Sequence, residues 1–332
     1  MVILDNNDEV INFISTYSKI KKNEMLLNFP AWNCRPYDYL SPNKNVLNDR
    51  FNAIKELEHR KYESKILVAS IDAIIMKVPQ DKINKDTLLI KKGSQFDTNY
   101  IIKTLINKGY EKVELVLEPN EFAARGGVID IWPIGQGFPI RLDFFGDEIE
   151  SIKKFNPISQ LASQEIYEIE LYDPTERPLN KYSKNKFVTN YRNLFGPAIN
   201  KDLFVHNLDN MEHLEGIEHW LPLFYDTEFV SIFFKMLPDF VVCKKETESK
   251  IKSKITEIKE MYKIKNEDFQ ENKEVLNAPI PPSKLYLTEE ELKVHFKKNK
   301  IIYLDNYKSY ETNNIKNIDT KDNLELHNKN IK

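Results

Sequence analysis

The sequence is poor in the residues that most catalytic and metal-binding motifs require. Its two cysteines, Cys34 and Cys243, lie far apart and form no CxxC, which argues against a zinc ribbon or a disulfide framework and fits a reducing cytoplasm. Nine glycines are present, and neither close cluster, Gly126-Gly127 nor Gly135-Gln-Gly137, is followed by Lys and a hydroxyl residue. The Gly-rich phosphate cradle GxxxxGK with a following Ser or Thr is therefore missing, and with it the usual means of holding ATP and Mg²⁺. The GxSxG elbow and the HExxH pair are missing too, so acyl transfer and zinc hydrolysis lose their sequence support. No stretch approaches the roughly 18 apolar residues of a membrane span, and Asp5, Asp8 and Glu9 stand where a secretion signal would be basic and then apolar. Nor is there an excess of positive charge. Lys and Arg number 48 against 51 Asp and Glu, a net charge of -3, so any nucleic-acid contact must be local.

What is present suits a folded chain of more than one domain. Apolar residues make up 41% and charged residues 30% of 332 positions, and single cores seldom grow beyond about 250 residues. Val10, Phe13, Ile14 and Tyr17 recur at helical spacing, and Met25 to Phe29 reads as a short strand. A second apolar stripe, Val46, Leu47, Phe51, Ile54 and Leu57, precedes the continuous apolar run Lys65 to Ile71, with Asp72 expected to cap a helix. A strand from Thr87 to Ile90, a cap at Asp97, a stripe of Tyr100, Ile101 and Leu105 and a stop at Gly109 repeat the pattern. Alternation of this kind predicts an α/β layer with at least partly parallel strands.

From Glu111 the period changes. Val113, Leu115 and Leu117 alternate with polar residues, and short strand-like runs follow, separated by Gly135-Gln-Gly137 and Gly146-Asp147, where tight turns need positive φ. This β-rich unit is expected to end near Tyr172. Beyond it, Ile251, Ile255, Ile258 and Met261 mark a surface helix over roughly Lys244 to Lys265. Pro279, Pro281 and Pro282 form a stiff connection to Leu285–Leu287 and a short helix from Glu289 to Lys298. Asn306 to Lys332, dominated by Asn, Lys and Asp, is expected to lack a packed core. No repeat of 20 to 50 residues indicates a solenoid.

Two clusters bear on function. Glu212, His213, Glu215, Glu218 and His219 lie close together, but the two histidines are six apart and Gly216 stands where an HxxEH site needs its first His, so packing roles are expected instead of a metal site. In the other, a strand from Pro139 to Phe145 would line one face with Ile140, Leu142 and Phe144 and the other with Arg141, Asp143 and Phe145. Arginine and an aromatic ring on one exposed face resemble a protein-binding hot spot, and Arg125, between Ala124 and Gly126, adds a second accessible guanidinium. The competing reading is an Arg141–Asp143 pair on a solvated face.

The run Glu121-Phe-Ala-Ala-Arg-Gly-Gly-Val-Ile-Asp-Ile-Trp-Pro133, followed by Pro139 to Ile152, closely resembles the UvrA-binding domain shared by UvrB and the bacterial transcription-repair coupling factors. Phe29 to Leu40 and Glu215 to Tyr225 extend the resemblance to about Tyr303. A UvrB-like excinuclease subunit is the alternative. UvrB, however, carries a DNA-inserting β-hairpin after its Tyr-Asp-Tyr motif, whereas Tyr37-Asp-Tyr39 leads here through Ser41–Asn45 straight into the next helix. The resemblance to the coupling factors implies a degenerate helicase-like α/β domain over 1–88 and 173–300, the latter part helical. It also implies a β-rich UvrA-binding domain inserted at 89–172, and a linker or the start of the next domain over 301–332. Arg125, Arg141 and Phe145 match positions that contact UvrA, with Asp143 beside them. The chain itself is expected to be no enzyme and to hold no cofactor. ATP, Mg²⁺, RNA polymerase and double-stranded DNA would belong to motor and polymerase-binding domains of the longer family members, which makes this chain a fragment or a truncated product.

Overall fold

The computed structural model describes residues 1–20, 24–58, 65–80, 87–172, 176, 181–196, 215–272 and 277–304. Its first layer is a five-stranded parallel sheet in which β15 (Lys300–Leu304), β14 (Phe240–Lys244), β1 (Val2–Leu4), β3 (Lys65–Ser70) and β2 (Met25–Phe29) lie side by side in that order. Continuous apolar strands suit a sheet covered on both faces. In β3, Leu67 and Ala69 enter the large core while Val68 between them packs on the opposite face with Val2 and Val10. Helix α1 (Asn7–Ile20) covers that second face. The large core is closed by α2 (Lys44–Glu58), α3 (Ile71–Ile74), the 3₁₀ helix Ile217–Phe224 and the helices of the last third, with Val78 added from the antiparallel pair β4 (Lys77–Pro79) and β13 (Phe229–Ser231); α4 (Thr98–Lys108) packs in the other core.

Those later helices follow α5 (Lys181–Phe195), and comprise α6 (Ile232–Met236), α7 (Thr247–Glu271), α8 (Pro282–Leu285) and α9 (Glu289–Lys298). The stripe Ile251, Ile255 and Ile258 faces the core as expected, but α7 starts only at Thr247 because the preceding residues are strand β14. The last third is thus not purely helical. Strand β15 also runs past the expected domain end at residue 300 and pairs in parallel with β14 from Phe240↔Lys300 to Lys244↔Leu304. The expected poorly packed tail from Asn306 lies outside the described residues. The helix after β3 is capped by Ser70, whose side chain accepts from the Ala73 amide, and Asp72 sits inside its first turn instead of at the cap. Among the described residues no helix is long and apolar enough to cross a membrane.

The second layer is separate. Strands β6 (Glu111–Lys112), β7 (Glu121–Arg125), β8 (Val128–Ile131), β9 (Ile140–Phe145), β10 (Glu148–Phe155) and β11 (Ala162–Ile166) form a six-stranded sheet, antiparallel except for the β6–β7 pair. Ile129, Ile131, Ile140, Leu142, Ile149 and Ile152 turn one face inward against Ile101 and Leu105 of α4. Asp97 caps that helix by accepting from the Asn99 amide, and Gly109, at φ 96°, ends it. The strand before it, β5 (Leu88–Lys91), does not join the parallel sheet: it pairs antiparallel with β12 (Glu168–Leu171) and places Ile90 in this second core. Val113 to Leu117 is no strand either. There the side chain of Glu121 accepts from the Leu117 and Glu118 amides at 2.9 Å each, replacing ladder bonds, and it is Val116 that packs inward.

Helix α2 joins the two layers. Arg50 is fully buried, stacks over the Phe29 ring at 4.3 Å, donates to the Pro30 carbonyl at 2.9 Å and reaches Glu176 at 2.7 Å. Phe51 packs on Tyr172 with ring centroids 5.5 Å apart, and the Gly135 amide donates to Asn48 at 2.8 Å. Glu176 follows the inserted sheet in sequence, so the buried pair ties its exit to the parallel layer. Removing one partner strands the other charge in a low-dielectric interior. Glu176→Ala is therefore expected to cost about 3 kcal/mol or more in urea unfolding, and Arg50→Met with Glu176→Leu to recover most of it. A loss below about 1 kcal/mol for the single change would contradict this account.

Candidate protein-docking surface

Two tight turns set the register of the site. Between β7 and β8 the Arg125↔Val128 pair closes on Gly126-Gly127, where Gly126 has φ 57° and a Cβ on Gly127 would sit 3.0 Å from the Phe144 carbonyl oxygen. Between β9 and β10 the Phe145↔Glu148 pair closes on Gly146-Asp147, with Gly146 at φ 61°. Such positive φ angles are what two-residue hairpin turns demand. The registers then follow, with Ala123 opposite Asp130, Asp130 opposite Arg141 and Val128 opposite Asp143. Paired residues share a face, so Arg125, Asp130, Arg141, Asp143 and Phe145 all belong to the side of the sheet turned away from its core.

The structure thus brings together all four residues nominated by the sequence, but their pairing differs. Arg141 is half-buried and does not engage Asp143. Its Nε and Nη2 donate to the two carboxylate oxygens of Asp130 at 2.7 and 2.9 Å, and its guanidinium lies 5.0 Å from the Phe155 ring centre. The hydrogen bond to Asp130 is the main reason Arg141 is held still more firmly protonated than usual, ahead of the opposing effect of burial. Asp143 accepts instead from Ser151 Oγ at 2.6 Å and Lys153 Nζ at 2.9 Å. Burial pushes its carboxyl up, but these two hydrogen bonds and the neighbouring cations outweigh it and hold the group below the usual carboxylate range. Arg125 is exposed and donates through Nη2 to the Glu114 carbonyl at 2.7 Å. Phe145, next to the turn, is 79% exposed.

Sequence reasoning missed Asp130, a buried carboxylate at the centre of this face. Counting back from a two-residue turn at Gly126-Gly127 would have found it, since that turn places position 130 opposite 123 and on the Arg125 side. It also missed the loops that border the face. Val116 packs with Ala123 and Phe155, and the Gln160 side chain donates to the Val116 carbonyl at 3.2 Å, leaving Leu115, Leu117, Ile158 and Leu161 exposed nearby.

The second sequence cluster packs. His219 is buried between Trp32 and Tyr37, and that burial drives its pKa down to about 4. Glu218 accepts from Ser41 Oγ at 2.6 Å, and Glu212 and His213 lie outside the described residues. Among the described residues no group of three His, Cys, Asp or Glu side chains is arranged to hold a metal ion. Between Phe29 and Lys44 the described chain forms no strand. Gly216, at φ 73°, packs so tightly on the Asp38–Tyr39 backbone that a Cβ would lie 2.9 Å from it.

Comparison with known proteins gives this architecture a class. Residues 88–176, which contain the six-stranded sheet, α4 and the β5–β12 pair, match the family described as the UvrB interaction domain, so a UvrB interaction domain is present in the chain. Over most of its length the chain is similar to transcription-repair coupling factors. It is 27% identical to that of Haemophilus influenzae over 295 residues, covering 88% of this chain and 25% of the relative. With the Escherichia coli protein it shares 28% identity over 211 residues, 63% of this chain and 18% of the relative. With that of Borreliella burgdorferi it shares 34% over 142 residues, 42% and 12% respectively. The chain spans about a quarter or less of the length of these curated relatives.

The exposure pattern separates binding from stability. Phe145→Ala is expected to change unfolding free energy by no more than about 0.5 kcal/mol, whereas Leu142→Ala, three positions earlier on the buried face, costs about 2 to 5 kcal/mol. Equal losses in denaturant titrations would mean that Phe145 is not on the surface.

Proposed function

We propose that the outer face of the six-stranded sheet is a docking surface for UvrA and that the chain serves as the UvrA-recruiting module of a transcription-repair coupling factor. The observation that carries this reading is the placement of Arg125, Arg141 and Phe145 on one face, with the phenylalanine ring almost fully in solvent. A large apolar ring held outward beside planar guanidinium groups costs solvation without helping the fold, and arginine and aromatic anchors are what dominate protein interfaces. The UvrB interaction domain match and the coupling-factor relatives support the same partner. On this reading the chain presents a UvrB-like surface, brings UvrA to RNA polymerase stalled at a lesion and later yields it to UvrB, in the cytoplasm.

Catalysis is assigned elsewhere. The sequence offers no phosphate-binding loop, and at the carboxyl edge of the parallel sheet, where open α/β sheets usually bind ligands, Asp5 is engaged by Lys244 at 2.8 Å and Lys250 at 2.9 Å. ATP hydrolysis, DNA translocation and polymerase contact are accordingly left to the parts of the relatives that this chain does not span. A UvrB-like role is disfavoured by the direct passage from Tyr39 to α2 without a DNA-inserting hairpin.

Calorimetric titration with UvrA tests the proposal. Wild-type chain should bind, and Arg141→Ala or Phe145→Ala should weaken binding about 30-fold or more, as a loss of about 2 kcal/mol at a central anchor implies. Unchanged affinity in both variants would remove the docking face from consideration.

A further inference from the structure

Arg141 reaches the docking face already committed on one side. A guanidinium carries five N–H groups in a rigid plane, and a carboxylate that meets Nε and Nη2 together fixes both the position and the rotation of that plane. Asp130 does this here with bonds of 2.7 and 2.9 Å from the adjacent strand, where it stands directly opposite Arg141. Asp130 itself is 4% exposed, so a partner protein has little access to it. The remaining donors are those of Nη1 and one of Nη2, and Nη1 meets only the Gln160 carbonyl, at 3.5 Å. Phe155 lies under the plane at 5.0 Å and closes off one of its faces.

The carboxylates near this arrangement are already engaged: Asp143 accepts from Ser151 and Lys153, and Glu165, opposite Lys153 on the next strand, accepts from Lys92 at 2.7 Å. An oxygen acceptor arriving at the Nη1–Nη2 edge would find two donors aligned with no rotamer entropy left to lose, because the Asp130 fork has already fixed them.

We propose that Asp130 is the positioning residue of the docking surface, holding Arg141 so that its Nη1–Nη2 edge receives a carboxylate of the docked protein end-on. This rests on the docking role proposed above. Asp130 acts only through Arg141, and that distinguishes it from a residue that merely stabilises the sheet.

A double-mutant cycle in affinity for UvrA, read alongside thermal unfolding of each variant, tests this. Asp130→Asn keeps the shape but loses the charged fork, and should weaken binding about tenfold; Arg141→Ala should weaken it about 30-fold. The double variant should bind no worse than Arg141→Ala alone, within about twofold, since a positioning residue has nothing left to position. Losses that multiply, or an Asp130→Asn chain that binds like wild type, would overturn the assignment. A second measurement needs no variant: the Arg141 Nε–H resonance of the free protein should be resolved and protected from solvent exchange, and rapid exchange there would also overturn it. Failure of the docking role itself looks different. In that case the wild-type chain does not bind UvrA, or Arg141→Ala binds as well as wild type.

Discussion

Burial of one face of the six-stranded sheet against α4 is the constraint from which the rest follows. Ile129, Ile131, Ile140 and Leu142 must point inward together, and because side chains alternate strictly along a strand, this forces Asp130, Arg141, Asp143 and Phe145 outward. A slip of one residue would exchange the two sets and carry two carboxylates and a guanidinium into an apolar core, at a cost of several kcal/mol. The glycine turns at 126–127 and 146–147 leave no room for such a slip. The surface is thus specified by the interior.

The parallel layer is a scaffold of a different kind. Its inner strands β1 and β3 are covered on both faces and its helices close over a single large core, whereas the edge strand β15 leaves Ile302, Tyr303 and Leu304 exposed. What it provides is anchorage. Arg50 and Phe51 of α2 grip the exit of the inserted unit through Glu176 and Tyr172, and Asn48 holds its β8–β9 loop through the Gly135 amide. The contacts include a buried ion pair that is costly to open, which couples the six-stranded sheet to the parallel layer.

Much of this was legible in the sequence wherever a pattern had one structural solution. The alternation from Ile140 to Phe145 could only be a half-buried strand, and the five-residue span Met25–Phe29 emerged with the bounds expected. Where a local pattern admits more than one partner, it misled. Thr87 to Gly109 does form a strand and a helix, but nothing in Leu88–Lys91 reveals that its neighbour is the antiparallel β12 and not the parallel sheet. Val113, Leu115 and Leu117 alternate as a strand would, yet the Glu121 carboxylate captures the Leu117 and Glu118 amides and turns the segment into a loop. The Arg141 partner failed for a related reason. Asp143 is two residues away in sequence, whereas Asp130 becomes adjacent only once the hairpin register is known. At the far end, the short helix expected over Glu289–Lys298 is present, but the strand Lys300–Leu304 that follows it was not read from the sequence.

The central claim is that the side of the sheet bearing Phe145 meets UvrA. Placing a photo-crosslinking phenylalanine analogue at position 145, and in a second chain at Leu89 of the β5–β12 pair, tests it most directly. Irradiation with UvrA should give a covalent adduct from position 145 and none above background from position 89. Adducts from position 89 alone would contradict the account.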